Sequence, residues 1–450
     1  MKDLRERLAA QGVHTLMAQF TDLHGVAKGT FVPLAHLDDL LAEGVGFSGS
    51  SIAGTGLPRT GARAEYWARG AASTATALPW LPGYARIACD GFVDAEPFEA
   101  CPRQVLRRQV ARLAEHGWSL RTGLEPEFFL LKPVAGKLLP ADDDDRLARP
   151  RYDLKSLPRQ REFLLALQRA LEACGLDVLQ LDHEDAQGQY EVVFGVDDVL
   201  ASADHLMLFK QAAHALAEER GMVFSMMPKP FAGQAGSGLH FNVSLWQGHG
   251  GNARNIFVPH TRDGAVDPHQ ALSPQGQQFA AGVLAHSAGL CALAAPTVNS
   301  YKRLALPEQP GGEGWAPNCV AHGRNNRSAL LRSLHGRFEW RLPDASANPY
   351  LASAALIAAG LDGIERGLAL PPESSDDLQA LSAAQLAERG LALLPQSLCE
   401  ALKALQADTV LTQALGPLLS AQFIMLKEAE FDEHARHVSD WEMQRYATAF

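Results

Sequence analysis

The sequence is poor in cysteine, carries fewer basic than acidic residues, and has no hydrophobic run near the roughly 18 residues that a membrane-spanning helix needs. Its six cysteines, Cys89, Cys101, Cys174, Cys291, Cys319 and Cys399, are scattered over 450 residues with no Cys-x-x-Cys pair. That pattern excludes a zinc ribbon or thioredoxin-type motif and gives no disulfide framework, so the thiols are expected as buried apolar groups. Lys and Arg total 40 against 51 Asp and Glu, a net charge of −11. An acidic chain repels phosphate backbones, which sets nucleic acid aside as a partner. The opening stretch, MKDLRERLAAQGVHTL, lacks an apolar signal core. With no membrane segment either, a cytoplasmic protein is expected. A GxxxxGK[ST] phosphate loop is also missing, and Gly236-Ser-Gly238 is too short for a dinucleotide fingerprint.

Hydrophobic residues make up 47% of the chain, enough for large cores in two or three domains. Residues 1–102 are expected to form a small α+β unit, with a helix over Arg5–Gln11 and a strand over His14–Phe20. Gly- and Ser-rich text follows at Gly44–Gly56, and turns surround a short apolar run in Pro79–Gly91. From residue 103 to 450 the pattern changes. A helix is expected over Arg103–His116, then alternating strands and long helices, then an Ala/Leu-rich helical C-terminal third. Ser439-Asp-Trp-Glu442 fits a capping box for the final helix. The run Ala141–Arg146, ADDDDR, is expected to be a solvated loop, and Gln247–Arg254 a connection.

Four strand-like segments are apolar on one face and polar on the other. Side chains alternate along a strand, so period two decides which residues share a face. In Leu124–Leu130, Glu125 and Glu127 oppose Leu124, Phe128 and Leu130. In Gln189–Val193, Gln189 and Glu191 share a face, and Glu184 lies seven residues before Glu191. In Leu239–Leu245, His240, Asn242 and Ser244 oppose four apolar residues, and in Arg337–Leu342, Arg337, Glu339 and Arg341 oppose Phe338, Trp340 and Leu342. Each segment alone reads as a sheet with one wet face. Together they bring five glutamates, a histidine and two arginines, a set whose repulsion a hard divalent ion such as Mg²⁺ or Mn²⁺ resolves. Arg and Lys at Ser300–Arg303 and Arg324–Arg332 read as a basic surface patch or, beside a carboxylate strand in an acidic protein, better as a phosphate clamp.

The blocks LEPEFF, HEDAQGQYE, MPKPFAGQAGSGLHFNVS, NSYKRL, NNRSALLR and RFEWRLPDASANPYLASAALIAAGLDGI, in this order, resemble those of bacterial-type glutamine synthetases over nearly the whole chain. The resemblance implies an α+β fold: a small N-terminal β-grasp domain over 1–102, then a catalytic domain over 103–450 with an antiparallel sheet flanked by helices. It implies ATP and two divalent metals. Glu127, Glu184 and Glu191 match the ligands of the first metal, and Glu125, His240 and Glu339 those of the second, which also holds ATP phosphates. Ser244, Arg327, Arg332 and Arg337 match ATP-contacting positions. Arg303 and Arg341 match the arginines holding the glutamate carboxylates, and Gly236 a glycine lining that pocket. The family assembles as two stacked six-membered rings, a homo-oligomeric dodecamer with active sites between subunits.

Against that pattern the ammonium-binding positions differ. Ser48 stands where the family has an Asp, Trp315 where it has a flap Glu, Ala235 for an Asn of the glutamate pocket, and Asn242 for a second histidine. Gln379 takes the place of the adenylylated tyrosine, and Glu313 offers a displaced flap acid. Losing two acids and adding an indole favours an organic amine over ammonia. The HEDAxGQ, MPKPF, PGYAR and WAP blocks resemble the γ-glutamylmethylamide synthetases. The expected activity is therefore ATP-dependent ligation of glutamate to a small primary amine through γ-glutamyl phosphate, with Ser48, Trp315, Arg332 and Arg337 at the reacting centre. An ammonia-using synthetase, an arylamide ligase and a non-catalytic regulator are the alternatives.

Overall fold

A computed structural model describes residues 2–248, 250–261, 263–306 and 314–450; Glu313 therefore lies outside the described residues. Among the described residues the strands form two sheets. The first runs Ala27–Pro33, Thr15–Thr21, Tyr84–Val93, Glu65–Gly70, Val45–Ser48 across its width. Thr15–Thr21 pairs antiparallel with its hairpin partner and parallel with Tyr84–Val93, which makes the sheet mixed. Its inner face buries Leu16, Ala18 and Phe20. The strand expected at His14–Phe20 is thus displaced by one residue, and the opening helix runs Lys2–Ala10.

The second sheet is organised by one 17-residue strand, Trp118–Val134. Gln189–Phe194 and then Val178–His183 lie on one side of it; Leu239–Gln247, Arg337–Trp340, Leu331–Leu334 and His322–Arg324 lie on the other. Pairing along this path is antiparallel except between His322–Arg324 and Leu331–Leu334. The apolar residues of each alternating strand turn to one side, where the ring of Phe128 meets those of Phe163, Phe209 and Phe224. Helices Val199–Glu218 and Pro349–Glu365 complete that core, and no single helix among the described residues is long and apolar enough to cross a membrane. The predicted capping box closes reciprocally between Ser439 and Glu442.

The acidic run departs from expectation. Asp142 and Asp143 pair with Arg159 and Lys132, but Asp145 is buried, and its carboxylate accepts from His183 Nε2 at 2.8 Å and from the Gly188 amide at 2.6 Å. A charge run reads as solvated because free carboxylates stay in water; here donors from the distant turn His183–Gly188 replace that water.

A buried ionic knot joins the first sheet to the helices Pro102–Glu115, Val199–Glu218 and Pro349–Glu365. Arg103, in helix Pro102–Glu115, grips Asp204 through Nε and Nη2 at 2.9 and 2.8 Å. The Tyr350 hydroxyl donates to Asp204 at 2.7 Å, and Arg86 of the first sheet donates to the Asp204 carbonyl and to Gln19. Burial opposes ionisation of Asp204, but the Arg103 guanidinium wins and its carboxyl sits below the usual range. Removing one partner of a buried pair strands the other. Asp204→Ala is therefore expected to cost about 3–5 kcal/mol, read as an earlier midpoint in urea unfolding.

Candidate active site

The long strand fixes the geometry. Its alternation puts Glu125 and Glu127 on the face opposite the aromatic core, and its register sets Glu125 across from His240 and Glu127 across from Glu191. Glu339 lies across from Asn242 on one side and Arg332 on the other. Four segments distant in sequence thus deliver their polar groups to one place. His240 Nδ1 is 3.7 Å from a Glu125 oxygen and 3.6 Å from Glu339, and Nε2 is 4.0 Å from Glu127. Glu125, Glu191 and His240 each offer a ligand atom within 4.8 Å of the other two. Glu184 enters from the turn before Gln189 and is buried, with Arg151 at 3.1 Å.

The carboxylates are not equivalent. Burial, and then the neighbouring Glu127, push the Glu184 carboxyl well above its ordinary range; burial, Glu184 and Glu127 do the same to Glu191. Burial also acts on Glu339, but His240, Arg341 and Arg332 outweigh it and hold the group at about 2. Crowded oxygen donors with one imidazole fit hard divalent cations, because a cation relieves the repulsion that burial makes costly.

Guanidinium groups line the other side. Arg332 donates to Glu339 at 2.8 Å and is itself fixed by Asn325 Oδ1 at 2.9 and 2.6 Å. Arg341 is buried, bonded to the other Glu339 oxygen, and donates to the Trp315 carbonyl at 3.3 Å. Arg303 is buried against the carbonyls of Leu342 and Arg341, at 3.0 and 3.2 Å, with no ion pair among the described residues. Burial depresses its pKa, which an entering carboxylate would reverse. Gly236, Ala235 and Trp315 line the same pocket; Trp315 is 49% exposed at its mouth. Ser244 shares the His240 strand and accepts from Trp246, while Arg337 is exposed and bonded to Asn242. Arg327 is exposed on the loop before Leu331–Leu334. Ser48 is not brought to this pocket: it is exposed at the end of the edge strand Val45–Ser48, bonded to the hydroxyls of Ser50 and Ser51.

The sequence profile of the glutamine synthetase catalytic domain matches residues 99–446. Over 449 residues the chain is 46% identical to the glutamate–methylamine ligase of Methyloversatilis universalis, covering 100% of this chain and 99% of that one. It is 36% identical to a glutamine synthetase of Rhizobium leguminosarum bv. phaseoli, covering 98% of each. The chain belongs to the glutamine synthetase family. Among solved structures it superposes on a GmaS/ADP complex with a TM-score of 0.90, at 34% identity, over 99% of this chain and 100% of that one. Apo GmaS gives 0.88 at 33% identity, over the whole of both chains.

Within this family framework several residues gain partners that sequence reasoning did not give them. Gln189 donates to Glu127 at 3.1 Å and to the Gly236 carbonyl at 3.0 Å. The Gly238 amide donates to Glu127 at 2.8 Å, and a Cβ there would stand 2.7 Å from His240 Nε2, so a side chain at this position would displace the imidazole. The Gly-Ser-Gly text was the visible signal, but its meaning depends on what folds against it. Asn242 donates to Glu125 at 2.7 Å. Arg151, joined to Glu184 and to Asp185 at 3.1 Å each, had no signal at all.

The buried repulsion predicts a sign change with metal. In chelator, Glu191→Gln is expected to unfold at a higher temperature than the parent, because a costly carboxyl is gone. Added Mg²⁺ is expected to stabilise the parent, by about 2.7 kcal/mol at a hundredfold excess over Kd, and the variant by less. Differential scanning fluorimetry with and without Mg²⁺ checks both.

Proposed function

We propose that this protein joins the γ-carboxylate of glutamate to a small primary amine, with methylamine as the first candidate, using ATP through γ-glutamyl phosphate. The observation that carries this reading is the complete carboxylate–imidazole cluster beside buried Arg303 and Arg341, in a chain whose ammonium-binding positions hold Ser48 and Trp315. The 46% identity to a glutamate–methylamine ligase over the full length supports the choice of amine.

In this reading Glu127, Glu184 and Glu191 hold one divalent ion, Mg²⁺ or Mn²⁺, and Glu125, His240 and Glu339 the other. When bound, the ions neutralise charge on the transferring phosphoryl group. Arg332 and Arg337, with Ser244 and Arg327, hold the phosphates of ATP, and Asn325 keeps the Arg332 fork aimed at them. Arg303 and Arg341 orient glutamate with Gly236 at its side, so its γ-carboxylate meets the phosphoryl group in line. The amine attacks unprotonated, since an ammonium has no lone pair, and displaces phosphate. The Trp315 indole receives the N-alkyl group where a carboxylate would favour a bare ammonium ion.

The same reading divides the chain into an N-terminal domain over 1–102 and a catalytic domain over 103–450. It makes the protein a cytoplasmic homo-oligomer, a dodecamer by family analogy, in which Ser48 on its exposed edge serves the pocket of a neighbouring subunit.

Phosphate release with ATP, glutamate and a panel of amines tests this. Methylamine is expected to exceed ammonia in kcat/KM by about tenfold or more, equivalent to roughly 1.4 kcal/mol. Glu339→Ala is expected to lose about 10²–10³ in kcat. If ammonia outperforms every primary amine, the reading of Ser48 and Trp315 is wrong; phosphate release that ignores glutamate and amine overturns the ligase itself.

A further inference from the structure

The acidic loop before Arg146 has no part in the chemistry above, yet one of its carboxylates is wholly enclosed. Asp145 has no exposed side-chain surface. A single oxygen, Oδ2, accepts from the His183 ring at 2.8 Å and from the Gly188 amide at 2.6 Å. The other His183 ring nitrogen faces the Glu184 carbonyl at 2.9 Å. One carboxylate oxygen therefore ties both ends of the turn His183–Gly188. Gly188 sits at φ +73°, and its carbonyl accepts from the Leu130 amide at 2.9 Å, so the far end is also fixed to the long strand. Inside the turn lies Glu184, and directly after it Gln189 and Glu191 enter the cluster. Arg151, six residues past Asp145, grips Glu184 and Asp185 from the side.

This arrangement answers a mechanical problem. Glu184 is buried near Glu127, and a free turn would let it swing to water and leave the cluster. Anchoring both ends removes that escape. A carboxylate with two donors on one oxygen and its other oxygen, Oδ1, buried without a partner is otherwise a costly way to close a loop.

We propose that Asp145 is a positioning residue: through His183 and Gly188 it holds the turn that carries Glu184, and thereby sets the affinity of the Glu127–Glu184–Glu191 ion site. This rests on the metal-dependent ligase reading. Partners that orient a ligand from behind change metal affinity by about 10–100-fold when removed.

The test is Mn²⁺ binding to the metal-stripped full-length protein, by electron paramagnetic resonance and calorimetry, for the parent, Asp145→Asn, Asp145→Ala and Leu405→Ala. Leu405 is buried in the helix Leu398–Ala407 and serves as a destabilised control. Asp145→Asn is expected to raise Kd for one class of Mn²⁺ by about 10–100-fold and leave the other within about threefold. Amide exchange across residues 184–189 in chelator should rise in the same variant, and Leu405→Ala should move neither. If Asp145→Asn lowers the thermal midpoint as Leu405→Ala does but both Mn²⁺ classes keep the parental Kd, Asp145 is structural only and the proposal is overturned. Should Asp145→Ala fail to fold, the isosteric Asp145→Asn decides. A parent protein that binds fewer than two Mn²⁺ sinks the metal reading itself, an outcome distinct from the variant's failure.

Discussion

Like charge held at close range is the constraint around which the catalytic half is built. Glu125, Glu127, Glu191 and Glu339 surround His240, Glu184 stands near Glu127, and all but Glu125 are buried. Two like charges 4 Å apart repel by about 4 kcal/mol at the effective dielectric of a protein site. The carboxylates cannot turn away, because the same strands commit their other faces to the aromatic core around Phe128. Hydrophobic burial on one face of the sheet thus opposes the electrostatic pressure on the other.

Compensation is uneven across the cluster. Glu339 is flanked by Arg332 and Arg341 and stays an anion unaided, whereas Glu184 and Glu191 have Arg151 as their nearby cation and burial drives them toward the neutral form. Neutral donors hold the remaining geometry: Gln189 and the Gly238 amide at Glu127, Asn242 at Glu125. Such bonds orient each oxygen without cancelling its charge, which keeps the set open to a cation. Arg303 presents the complementary case, a buried guanidinium held by the carbonyls of Leu342 and Arg341.

The polar faces of the four strands were legible because alternation is a local property, and Glu125 with Glu127 needs only the sequence around them. Ordered blocks made the family legible too. Other features were hidden. Asp145 looked like one of four interchangeable aspartates, and nothing near it names His183 or Gly188 as its donors. Arg151 and Gly238 acquire their meaning from residues more than thirty positions away, or across a strand pairing. Ser48 was marked by its block, but the fold of one chain leaves it on an exposed edge instead of beside Trp315.

The amino-acid order by itself determined which side chains share a strand face and which chemistry those faces can hold, since each depends on neighbours one or two residues apart; the positions without the family's acids were legible from the ordered blocks. Tertiary structure alone decided the cross-strand register that sets His240 against Glu125 and Glu191 against Glu127, and it decided which aspartate of an acidic run is buried. Those outcomes follow from contacts between segments far apart in the chain, where burial and hydrogen bonding choose among residues that look alike in sequence.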